Sequence, residues 1–260
     1  MNSLFFVKNF LFFFILVLMF VFELAYAELS ITPAVVNVVA EPMALCESKY
    51  IVTNISDNAV TVIVTKENWK NFSGNSSDVS VDNWLELGKN KFDIAPKETV
   101  EVPFKVITSE KMVGSVSGMI VFTVKGGMFS FSMKQPVYVV INGTEQVDFK
   151  IDSITMETAK INGNLYYNMV VRNAGNVHVR HNGVIEIYSR KTGNLVNSID
   201  IDETFPTYAQ DSRIFNGFML KGTDLAKGNY TAIFKIKAFD KQTVKKIDFK
   251  VSKLGEVVTK

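Results

Sequence analysis

The apolar residues of this chain come in short runs and never in a sustained helical stripe. From Leu29 onward, β-branched and apolar stretches of a few residues are each closed by Asn, Asp, Gly, Ser or Pro. That pattern predicts an all-β chain, because half-buried strands alternate and end at turn formers. In the first half, strands are expected at Val35–Val39, Tyr50–Thr53, Val60–Thr65, Trp84–Leu87, Thr99–Ile107, Met119–Val124 and Met128–Ile141. In the second half they are expected at Val147–Met156, Leu165–Arg172, Val184–Tyr188, Leu195–Ile201, Arg213–Leu220, Tyr230–Phe239 and Val244–Val251.

About seven strands are enough for one sandwich, so two tandem immunoglobulin-like β-sandwich domains are expected. Asn142, Gly143, Thr144 and Glu145 interrupt the alternation between the halves. The expected division is therefore 28–143 and 144–252, with 253–260 as a flexible polar tail. The pair Gly126-Gly127 between two alternating runs predicts a hairpin, since glycine accepts positive φ. Pro103 withholds a ladder donor, which predicts an edge or a bulge at that point. Leu225, Gly228 and Tyr230 have the spacing of a tyrosine corner, in which a buried ring hydroxyl bonds nearby backbone. The halves also echo one another: Val52, Asn54, Ser56, Asn58 and Val60 are similar to Val171, Asn173, Gly175, Asn176 and Val177.

The first residues set the compartment. Lys8 precedes an unbroken apolar run from Phe10 to Phe22, followed by small residues at Ala25 and Ala27. This is the layout of a signal peptide, residues 1–27. The run falls short of the ~20 residues of a membrane span. A periplasmic, secreted or cell-surface location is expected, with no membrane span after signal removal. Cys46 is the one cysteine, so no intramolecular disulfide is available and burial alone must hold the folds. Its setting between Leu45 and Glu47 suggests a buried, inert thiol.

Net charge is +2 and the basic residues are dispersed, so no electrostatic footprint for nucleic acid appears. Catalysis needs a titratable or nucleophilic constellation, and none is legible; the chain reads as a non-enzyme without cofactor or metal. His178 and His181 are three apart, which on a strand sends them to opposite faces, and they read as a solvated pair. Gly114, Ser115, Val116, Ser117 and Gly118 have the outline of a nucleophile elbow, but the central residue is valine. Asp200, Asp202, Glu203 and Asp211 alternate with Ile199 and Ile201 as a solvated strand face would, and their spacing matches no calcium loop.

One stretch has interaction chemistry. Phe129, Phe131 and Met133 share one face of an extended run while serines line the other. Two readings stand: a late strand burying that face in its own core, or an edge strand that completes another protein's sheet.

The first domain resembles the immunoglobulin-like domain of periplasmic pilus chaperones. The matching pieces are Leu29 to Val38 with Pro33, Tyr50 to Asn58, Trp84-Leu85-Glu86-Leu87, Phe92 to Lys97 with the turn Ala95-Pro96-Lys97-Glu98, and Gly118 to Phe122. The second resembles the domain that follows it in such two-domain proteins, through Asn173 to His178, Gly193 and Gly228-Asn229-Tyr230. The resemblance implies strand addition to a pilus subunit or surface protein, with Phe129, Phe131 and Met133 giving specificity. It implies that Lys134 meets a terminal carboxylate. The family's first-strand arginine has no counterpart at Thr32, Pro33 and Ala34. A second resemblance, to surface proteins with a peptidoglycan-contacting sandwich, implies a structural or adhesion module on the cell wall.

Overall fold

The computed structural model describes residues 29–69, 79–126, 129–158, 163–202, 206–221 and 224–259. The expected signal peptide lies outside them. No helix among the described residues is long and apolar enough to cross a membrane.

In chain order the first half forms β1 (Leu29–Thr32), β2 (Val36–Ala40), β3 (Leu45–Asn54), β4 (Val60–Asn68), a 3-10 turn (Val81–Asn83), β5 (Leu85–Leu87), β6 (Lys91–Ile94), β7 (Thr99–Ile107), β8 (Ser115–Gly126) and β9 (Phe129–Ile141). One sheet has the order β1-β3-β7-β5 and the facing sheet β2-β9-β8-β4-β6. The chain changes sheet between β1 and β2, across a cis Thr32–Pro33 peptide. Alternate residues of both sheets point inward, as the period of two requires. Tyr50, Val62, Trp84, Phe104, Phe122 and Val139 fill the space between. Tyr50 stacks on Phe104 and meets Phe122 edge-on.

The second half forms β10 (Phe149–Thr158), β11 (Asn164–Asn173), β12 (Asn182–Ser189), β13 (Leu195–Asp202), β14 (Asp211–Lys221), β15 (Gly228–Ala238), β16 (Lys241–Val251) and β17 (Val257–Thr259). Its sheets run β10-β11-β14 and β13-β12-β15-β16-β17. The fold is all-β and made of two immunoglobulin-like sandwiches. The first core extends from Val36 to Ile141 and the second from Val147 to Val251.

Three expectations change on contact with these sheets. The tail expected at 253–260 is a strand over 257–259: β17 pairs antiparallel with β16, and the Val257 amide donates to Thr158 Oγ1 at 3.0 Å. An unpaired β16 edge and a half-buried Val257 give the segment a partner that its own sequence does not announce. The hairpin closes as Gly126 opposite Phe129, one residue beyond the expected placement. Pro103 lies in an internal strand, on the side where three-residue β5 stops. Its carbonyl accepts from Gly88 at 3.0 Å there, so the missing donor falls beyond the β5 ladder and costs the β3 pairing nothing.

The tyrosine corner forms as expected. Tyr230 is buried, and its hydroxyl donates to the Ala226 carbonyl at 2.6 Å.

Candidate functional site, a half-open sheet edge

Strand β9 is thirteen residues long, but its two halves have different neighbours. On one side β8 pairs with it from Phe129 to Val140. On the other, β2 runs parallel to it only from Val137 to Ile141. Among the described residues, 129–136 therefore present a free outer edge, a row of main-chain donors and acceptors that stops at Pro136.

The side chains over this edge follow the alternation. Phe131 lies opposite Val124 and Met133 opposite Phe122, two fully buried core residues, so both point inward. Both are only half-buried, and Phe131 packs against the first core. Across the gap, Leu29 and Ile31 of β1, the edge of the other sheet, pack partly against the same core. At the mouth of the first sandwich, Leu29, Ile31 and Phe131 thus pack against the same core, and among the described residues no strand pairs with the outer edge of 129–136. The side chain of Phe129 lies outside the described residues.

Lys134 is not part of that row. It points to the outer face with Ser132 and forms an ion pair with Glu67 at 2.5 Å, both side chains about half exposed. Beside them Glu67, Asn68, Trp69, Met119 and Lys134 line a groove of about 510 Å³. Glu67 thus pairs with the lysine that the resemblance assigns to a terminal carboxylate.

The corresponding mouth of the second sandwich is closed. There β16 takes the place of β9, and β17 covers part of its edge. Lys241 donates to the Val147 carbonyl, and Lys245 donates to the carbonyls of Ile151 and Asp152. Two ammonium groups of β16 therefore bond the backbone at and just before β10, across the gap between the sheets.

Below the free edge, β9 enters a seam between the domains that sequence reasoning did not find. Tyr138 shares a 2.8 Å hydroxyl–hydroxyl hydrogen bond with Tyr208 of the second domain. Trp69 packs on both rings, with centroids 6.1 Å from Tyr138 and 5.1 Å from Tyr208. The Arg180 guanidinium sits 4.9 Å over the Tyr138 ring and donates to Asn37 Oδ1 of β2 at 2.9 Å. Val140 packs against the second core. The Ser115 amide donates to the Asn176 carbonyl at 3.0 Å, and its hydroxyl accepts from the His178 amide at 2.9 Å. Burial raises the Tyr208 phenol far above its usual range, and the Tyr138 hydroxyl adds to the rise.

The histidines are not solvated. The segment after β11 folds into the seam, so strand alternation does not apply to it. His178 is 7% and His181 1% exposed. His178 lies against Tyr138 with centroids 5.0 Å apart, whereas His181 lies in the second domain against Phe149 and Phe215. Burial holds both at about pKa 4, and Arg180 adds to the effect at His178. Asp200 and Asp202 are exposed and alternate with Ile199 and Ile201, while Glu203 lies outside the described residues. No group of three potential metal ligands occurs among the described residues. Cys46 is half-buried and packs against the first core.

No family model matches the sequence, and no curated protein matches it. Solved structures do. The CupB2 chaperone of Pseudomonas aeruginosa is similar at 10% identity and a TM-score of 0.44, covering 89% of this chain and 97% of that chain. The class 5 fimbriae chaperone CfaA matches at 12% identity and a TM-score of 0.46, covering 84% and 98%. The periplasmic chaperone SfaE matches at 10% identity and a TM-score of 0.43, covering 83% and 97%. The likeness is one of fold.

Proposed function

We propose that the protein is an exported, non-enzymatic holder of an extended polypeptide, acting outside the cytoplasm by strand addition along the free half of β9. The observation that carries this reading is the contrast between the two mouths. In one, β17 covers part of the edge and two lysines bond across the gap, while in its counterpart Phe131 and Met133 face inward and, among the described residues, no strand pairs with the outer edge of 129–136. Main-chain hydrogen bonds supply affinity in this mode, and alternate side chains supply selectivity. A segment of a pilus subunit or surface protein, extended and apolar on one face, has the matching chemistry. Lys134 meets a carboxylate of that segment only by exchanging Glu67 for it.

Pull-down from an extracellular extract tests the reading, comparing the wild-type protein with Phe131→Asp. The wild type is expected to recover a partner whose binding slows amide exchange within 129–135. A folded Phe131→Asp protein is expected to lose it. Equal recovery by the variant, or protection elsewhere, overturns the site. Co-sedimentation with purified peptidoglycan, unaffected by the variant, would favour a cell-wall adhesion module instead.

A further inference from the structure

Asn142, Asn162, Asn182 and Asn216 are each followed directly by glycine. Such a pair rearranges without an enzyme when the glycine amide nitrogen reaches the asparagine side-chain carbonyl, an approach that no Cβ obstructs. The backbone must rotate to bring the two together, so a pair held in a sheet is protected and a pair in a loose turn is not. Asn162 lies outside the described residues. Gly183 sits in β12 between β13 and β15, where a Cβ would stand 1.9 Å from the Lys235 carbonyl oxygen. A Cβ on Gly217 of β14 would stand 2.7 Å from the Tyr167 ring. Close packing thus holds both of these pairs.

Asn142 and Gly143 differ on every point. Both are exposed, in the turn that leaves β9 for the second domain. Gly143 has a φ of +79°, and a Cβ built on it meets nothing within 4 Å. Its amide donates no hydrogen bond among the described residues, which leaves the attacking nitrogen free. The turn is closed by the Thr144 amide on the Ile141 carbonyl at 3.2 Å, the long end of the range for such a bond.

We infer that Asn142-Gly143 is a site of spontaneous deamidation whose conversion loosens the junction between the domains. The Gly143 nitrogen bonds to Asn142 Cγ, the Cγ–Nδ2 bond breaks, and that nitrogen leaves as ammonia with the proton of the Gly143 amide. Water then opens the cyclic imide at either carbonyl, restoring one amide and leaving one carboxylic acid, as aspartate or its isoaspartyl isomer. The Asn142 side chain donates to Glu41 Oε1 at 2.6 Å, so conversion sets a carboxylate against a carboxylate and turns attraction into repulsion. The isoaspartyl form also lengthens the main chain by one carbon just ahead of Thr144. That residue ties the turn to both domains: its hydroxyl accepts from the Gly114 amide at 2.7 Å, and its carbonyl accepts from Asn176 Nδ2 at 3.0 Å. The site lies in the linker and not on the edge of β9, so the inference stands or falls independently of the proposed function.

The test is peptide mapping by mass spectrometry of the folded protein, fresh and after long incubation at mildly alkaline pH, reading the amide-to-acid mass change at each site. Asn142 is expected to convert about tenfold faster than Asn182 or Asn216 in the folded protein, and at a comparable rate in urea. Conversion at Asn142 no faster than at the two strand sites overturns the inference, and so does a preference for Asn142 that is as large in urea. Amide exchange at Ser115 and His178, whose hydrogen bonds cross between the domains, reads the consequence. It is expected to quicken in the aged wild type and to keep its fresh rate in Asn142→Gln aged alongside, because the longer side chain closes its ring far more slowly. Full conversion at Asn142 with exchange unchanged at both amides overturns the loosening.

Discussion

Asn54 and Asn173 make the same hydrogen bonds at the same place in two different domains. Each is fully buried at the last position of the strand that pairs with its domain's first strand, β3 or β11, and each side-chain amide donates at 2.7 Å to a carbonyl four residues on, Asn58 in one case and Val177 in the other. Each side-chain oxygen accepts at 3.0 Å from the amide two residues on, Ser56 and Gly175. The same amide also donates to distant carbonyls, those of Ile94 at the end of β6 and Ala95 from Asn54 and that of Thr207 from Asn173.

Replacing either asparagine by alanine removes these bonds and leaves buried carbonyls without donors. A loss of about 2–4 kcal/mol is expected from each. The effects should add in the double variant, because the sites lie in different cores. Urea titration of the three variants checks both claims.

Two buried tyrosines predict opposite outcomes from the same substitution. The Tyr230 hydroxyl is bonded to Ala226, so Tyr230→Phe should cost about 1 kcal/mol. The Tyr50 hydroxyl is buried without a partner among the described residues, and burial raises its pKa well above the usual value. Tyr50→Phe should therefore leave stability unchanged or raise it by about 1 kcal/mol. Thermal unfolding of the two variants beside wild type decides the signs.

Acid should weaken the fold through its histidines. His178 and His181 are held at about pKa 4, against 6.5 when unfolded. Between those values the unfolded chain binds more protons than the folded one, so stability falls as pH drops from 6.5 towards 4 and levels off below. A displacement of that size is worth at most about 3 kcal/mol per histidine. Urea midpoints at pH 7 and pH 4.5 should differ in wild type and differ less in His178→Gln, whose side chain does not titrate.

Gly114 should be intolerant of a methyl group. Its φ is +69°, and a Cβ there would stand 2.1 Å from the Asn176 carbonyl oxygen across the seam. Gly114→Ala is expected to cost about 1–3 kcal/mol and to loosen the domains. Limited proteolysis at 142–148 should be faster in the variant, and Trp69 fluorescence should shift.

The sheets were legible because alternation reports burial directly, and nearly every expected strand coincides with one that forms. What escaped depended on neighbours distant in sequence. Nothing in Val257, Val258 and Thr259 announces that β16 offers them an edge. His178 escapes strand alternation because its segment leaves the sheet at Asn173. The row Phe131 and Met133 was visible as a face, but its being half open follows from the point where β2 begins. The seam of Trp69, Tyr138, Arg180 and Tyr208 draws on four separate stretches, and no local spacing relates them.

The arrival of β2 beside Val137 sets the length of the free edge of β9. A guest lying along this edge meets the start of a resident strand after roughly eight residues, on the order of 26 Å of extended chain. Under the proposed reading, longer segments would turn away or overhang, and length would be selected before any side chain is read.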